Sequence, residues 1–172
     1  MTRPPFDPPT DADIAVVSSQ LGRPARGVIG IAARCVCGNP TVVATSPRLP
    51  DGTPFPTLYY LSHPGATAAM STLEATGVMA ELQASLEGEV ADAYRAAHDA
   101  YLADRDSILE VPEIEGFSAG GMPDRVKCLH ALAGHALAAG PGVNPIGDEA
   151  LARSTWSPDR CVCAEPGAAL QG

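Results

Sequence analysis

The sequence predicts an α+β fold, with a small antiparallel sheet of about three strands packed by four to five helices. Strand-like runs are confined to residues 27–62, and helical periodicity fills most of the chain after Pro64. The 172 residues, 45% of them hydrophobic, suit one core and leave little room for a second domain. The expected organisation is an irregular Pro-rich segment over residues 1–9, a single domain over 10–156 and an irregular tail over 157–172.

The first helix is expected to start after Thr10, where Thr10 and Asp13 have the spacing of a capping box. Ile14, Val17 and Leu21 share one face, and Gly22 and Pro24 end the helix. "GVIGIAAR" at 27–34 and "TVVAT" at 41–45 are strand patterns joined by "CVCGNP", whose Gly, Asn and Pro form turns. This predicts a hairpin with Cys35 and Cys37 at its tip. "TLYYLS" at 57–62 is the third strand, supported by its aromatic content.

Pro64 opens a helical stretch to about residue 86, interrupted at Gly77. A further helix covers about 88–108, where Val90, Tyr94, Ala97 and Tyr101 recur at helical spacing. After an acidic, Gly-rich connection, Asp124 is expected to cap a helix that ends at Gly140. "DEALAR" is expected to form a short helix at most.

Composition excludes some functions. A net charge of −9 opposes broad binding to nucleic acid or to an anionic membrane. No apolar run reaches the roughly 18 residues of a membrane span. No signal peptide is visible, so a cytoplasmic location with reduced cysteines is expected. There is no nucleophile-elbow, phosphate-loop or dinucleotide motif. Glu110, Glu113 and Glu115 form a closely spaced acidic loop whose ordinary role is solvation.

The informative residues are cysteines and histidines. "RCVCGNP" offers two thiols at a hairpin tip, a common way to present sulfur to zinc, although the spacing is C-x-C and not the usual C-x2-C. A second "CVC", with Cys161 and Cys163, has the composition to complete a four-thiolate site from the tail. In "DRVKCLHALAGHALAAG", a regular helix would set Cys128 and His135 roughly 20° apart but about 10.5 Å along the axis. His130 would point about 160° away from Cys128. A Cys128 in a first turn that is not fully helical would escape that geometry and reach distant segments. Cys128 near a helix N-terminus also has the setting of an activated thiol. The plain alternative for each cysteine is a small apolar side chain.

"RCVCGNPTVVATSPRLPDGTPFPTLYYLSHP", "AYRAAHDAYLADRD" and "GMPDRVKCLHALAGHALAAGPGVNPIGDEAL" together resemble the domain of unknown function 501 family, known chiefly from actinobacteria. The resemblance spans roughly Ala12 to Trp156 and implies a single-domain cytoplasmic protein without an established reaction. The leading expectation is therefore a thiolate-rich metal site, zinc before an iron–sulfur cluster, with a structural role. Cys35, Cys37 and Cys128 are the foremost ligands, and His63, His130, Cys161 and Cys163 are candidates for the rest. The rivals are an enzyme using Cys128 with His130 or His135 as base, an enzyme with an open metal site, and a metal-free module for a protein partner.

Overall fold

The computed structural model describes residues 6–164 and 167. Among them lie helices α1 (Asp11–Leu21), α2 (Pro64–Glu74), α3 (Val78–Ala84), α4 (Gly88–Asp106), α5 (Leu129–Ala139) and α6 (Pro145–Arg153). Strands β1 (Val28–Arg34), β2 (Pro40–Thr45) and β3 (Tyr59–Leu61) form one antiparallel sheet in the order β1-β2-β3. The α+β class therefore holds. The helix count rises to six among the described residues for two reasons. The chain breaks between α2 and α3 at Gly77, and Asn144 caps α6 through Gly147 N–H, so that helix runs for nine residues. No helix among the described residues is long and apolar enough to cross a membrane.

Strand β2 is central and wholly buried, because both its faces are covered. Pairing of Val42 with Leu61 and Ala44 with Tyr59 puts these four side chains on one face. They join Leu129, Leu132 and Ala133 of α5 in the main core. Val43 lies on the other face with Ile31 and with Val17 of α1. The capping box predicted at Thr10 and Asp13 is present, with Asp13 N–H donating to Thr10 Oγ1 at 3.1 Å.

Helix α5 is squeezed between the sheet and α6, and two glycines make this possible. A Cβ on Gly134 would lie 3.0 Å from Tyr59 O, and one on Gly147 would lie 2.2 Å from Leu132 O. α5 also starts later than expected. Asp124 does not cap it; Lys127 and Cys128 N–H both donate to Gly120 O, residues 120–124 form turns and 125–128 an irregular stretch, so the helix begins at Leu129.

Of the N-terminal segment expected to be irregular, residues 1–5 lie outside the described residues. Phe6 packs edge-on against Tyr59, and Asp7 makes an antiparallel bridge with Ile31. Residues 157–164 have no regular secondary structure, and Val36 N–H donates to Pro158 O at 3.0 Å. The expected acidic loop is folded: Glu113 pairs with Arg48, and Pro112–Ile114 forms a 3-10 turn.

That loop is held by Arg105, a fully buried arginine. Its guanidinium donates to Ile114 O at 2.9 Å and to Phe117 O, and its Nε pairs with Asp106. Arg105→Met fills the volume but leaves both carbonyls without this donor. The expected cost is about 3 kcal/mol in urea unfolding, together with faster amide exchange over residues 110–118. A change below about 0.5 kcal/mol would show that the guanidinium does not hold the loop.

Candidate metal centre

The hairpin between β1 and β2 delivers Cys35 and Cys37. Gly38 adopts φ 96°, a conformation disfavoured for other residues, and closes the turn. Gly38 N–H donates to Cys35 O and Cys35 N–H to Asn39 O, each at 2.8 Å. The two thiols converge through this turn, not through the pleat of a strand. Arg34 steadies the tip from outside. It binds Asp13 at 2.7 Å, Asp7 at 2.9 Å and Gly38 O at 2.9 Å. Burial pushes the Asp13 carboxyl up, yet its bonds to Arg34 and Thr10 outweigh this and hold it below its usual range.

The tail brings Cys161 and Cys163 to the same place. The sulfurs of Cys35, Cys37, Cys161 and Cys163 all lie within 4.8 Å of one another, and the Cys37–Cys163 pair is 3.6 Å apart. A tetrahedral zinc with four thiolates sets its sulfurs about 3.8 Å apart. The group is thus compatible with one metal ion. Cys35 is buried and the others are half-buried; none is in a disulfide.

The surroundings favour the thiolate at Cys37 and oppose it at Cys35 and Cys163. Burial pushes the Cys37 thiol up, but N–H groups of Asn39 and Gly167 and the thiols of Cys161 and Cys163 bring it down to about 7. Burial pushes the Cys35 thiol up. Burial and the neighbouring Cys37 and Cys161 also push Cys163 up. Four crowded thiols cannot all ionise without a cation among them.

His63 touches this group without being arranged as a ligand. It caps α2, with Nδ1 accepting from Gly65 N–H at 3.0 Å and Ala66 N–H at 3.3 Å. The proton of the neutral ring must therefore be on Nε2, which lies 3.2 Å from Cys163 Sγ. Burial keeps this imidazole neutral by lowering its pKa. His63 is thus a hydrogen-bond donor to the sulfur, a supporting role that favours thiolate.

Cys128 and His130 fall in a second group, with Glu74. Cys128 has extended backbone angles, φ −146° and ψ 109°, and precedes α5. The helical-wheel separation from His130 therefore does not apply, and Cys128 Sγ lies 3.9 Å from His130 Nδ1. Glu74 Oε1 accepts from Leu129 N–H at 2.7 Å and lies 3.2 Å from His130 Nδ1. The hydrogen bond from His130 lowers the Cys128 thiol; that same contact, against the effect of burial and with help from Glu74, raises His130 to about 9. Glu74 carries no signal in the sequence. It is an ordinary glutamate at the end of α2, and only the packing of α2 on α5 gives it these neighbours.

His135, the other histidine considered as a base, is fully buried and stacks on Tyr59 with ring centroids 5.5 Å apart. Its Nδ1 accepts from Asn144 Nδ2 at 3.1 Å, and burial lowers its pKa to about 4. The unfolded chain takes up a proton near the ordinary value of about 6.5, and the folded chain does not. This contribution to stability is complete above about pH 6.5 and is lost as the pH falls towards 4, by about 3 kcal/mol in all. Urea titrations of the wild type and of His135→Gln should converge by that amount between pH 7 and 4. A pH-independent difference would contradict the assignment.

An α+β fold with a four-cysteine group is thus the class that fold and site define. A family model described as a protein of unknown function (DUF501) matches residues 31–152, and the chain belongs to that family. No curated protein and no solved structure matches it.

Proposed function

We propose that this protein is a zinc-binding domain whose closed site, Cys35, Cys37, Cys161 and Cys163, fastens the C-terminal segment to the β-hairpin. The observation that carries this reading is the convergence of four sulfurs within 4.8 Å from the two ends of the chain. Thiolate ligands select a soft or borderline ion over magnesium or calcium. Four protein ligands leave no position for substrate, so the role is structural. An iron–sulfur cluster, which distributes its four cysteines over two or four irons, would spread the sulfurs wider than a single ion does.

The N–H groups aimed at Cys37 and the His63 imidazole aimed at Cys163 support the same reading, because they offset thiolate charge around the ion. The test is elemental analysis of tag-free protein after exhaustive dialysis. Wild-type protein is expected to hold about one zinc per chain more than Cys37→Ser, Cys163→Ser protein that remains folded. Metal-free wild-type protein purified anaerobically, or iron in place of zinc, would overturn the proposal.

A further inference from the structure

We propose that Glu74, Cys128 and His130 form a second metal site, open on one side, that takes a borderline divalent ion such as zinc or cobalt. It shares no residue with the four-cysteine group and does not depend on that group holding metal.

Hydrogen-bond direction is the main ground for this. His130 Nε2 lies 3.1 Å from Thr67 O, a backbone carbonyl that can only accept. Nε2 therefore carries a proton, and Nδ1 presents a lone pair once a metal ion displaces the proton it shares with Cys128 and Glu74. That lone pair faces Glu74 Oε1 at 3.2 Å and Cys128 Sγ at 3.9 Å. A carboxylate oxygen, an imidazole lone pair and a sulfur repel one another unless a cation lies among them. A ring N–H bonded to a backbone carbonyl is also the usual way in which a metal-ligating histidine is oriented.

Distances fit an ion. Tetrahedral zinc places an oxygen and a nitrogen ligand about 3.4 Å apart, and a sulfur and a nitrogen ligand about 3.6 Å apart. Glu74 Oε1 also accepts from Leu129 N–H at 2.7 Å, which fixes the carboxylate at the start of α5. The side chains of Glu74 and His130 are each 29% exposed. Three protein donors with solvent access leave a fourth position for water, as catalytic zinc sites do and structural ones do not.

The alternative cation is a proton on Nδ1, giving an ion triple without metal. Anaerobic titration of the full-length chain, brought to one zinc per chain by dialysis, with Co(II) separates the two. One further cobalt per chain is expected, with a thiolate-to-cobalt absorption band in the near ultraviolet. Cys128→Ser should abolish that band, and Glu74→Gln should weaken binding at least about 100-fold. Gln retains an oxygen for Leu129 N–H, so circular dichroism should be unchanged in that variant. In Cys37→Ser protein the Cys128-dependent band should persist, which keeps this site's result separate from that of the four-cysteine group. A wild-type chain without a Cys128-dependent band, or one in which iodoacetamide alkylates Cys128 equally fast with and without cobalt, would overturn the proposal.

Discussion

Removing zinc with a strong chelator, or replacing Cys37 by serine, is expected to release residues 157–164 from the hairpin. These residues have no helix or strand of their own. Their attachment rests on the sulfur cluster, on the bond from Val36 N–H to Pro158 O and on the contact of His63 with Cys163. An ion bound by the folded chain alone stabilises it by about 4 kcal/mol when free zinc is a thousandfold above its dissociation constant. For a chain of this size that corresponds to a fall in Tm of about 10 °C on chelation. Arg160 is exposed and stands next to Cys161, so trypsin gives a local readout. Cleavage at this bond should be at least about tenfold faster in chelated protein, and zinc should restore protection to the wild type but not to Cys37→Ser. Equal cleavage in all forms would mean that the cluster does not hold the tail.

Gly147→Ala is expected to be among the most damaging single-methyl additions to the fold. The new Cβ would stand 2.2 Å from Leu132 O and 2.8 Å from Ala136 Cβ. The nearer atom is backbone, so no rotamer change relieves the clash. Helix α6 must move off α5, which opens the core around Ile146 and Ala150. The expected loss is at least about 3 kcal/mol by urea unfolding, at the upper end for overpacking. The same substitution at Gly77, where nothing lies within 4 Å, is the control and should change stability by under about 1 kcal/mol. Similar values for the two would contradict the close approach of α5 and α6.

The fold was legible wherever local chemistry decided it. Thr10 and Asp13 announced the first cap, and the Gly-Asn-Pro turn announced the hairpin that carries Cys35 and Cys37. What stayed hidden depended on long-range packing. Cys161 and Cys163 could be noted as a second copy of the motif, yet no local pattern shows that an irregular tail returns to a turn 126 residues earlier. The sequence places Cys128 inside a helix because Asp124 resembles a cap. The turns anchored on Gly120 O delay that helix and turn the thiol toward His130. Cys128 therefore stands with Glu74 and His130 and not with the hairpin cysteines.

The same contrast explains the histidines. His63 sits beside Pro64, a sequence signal for a helix start, and its capping bonds decide which nitrogen carries the proton. His135 lies on the buried face of an apolar helix, and its environment makes it a neutral core residue. Residue type alone nominated both for metal binding or catalysis; hydrogen-bond direction and burial separate their roles.

Zinc-edge X-ray absorption on Glu74→Gln, Cys128→Ser protein, in which only the four-cysteine group remains intact, decides whether these four sulfurs hold zinc. A single shell of four sulfurs at about 2.3 Å is expected. Bound zinc with nitrogen or oxygen in its first shell, or folded protein without zinc, would contradict it.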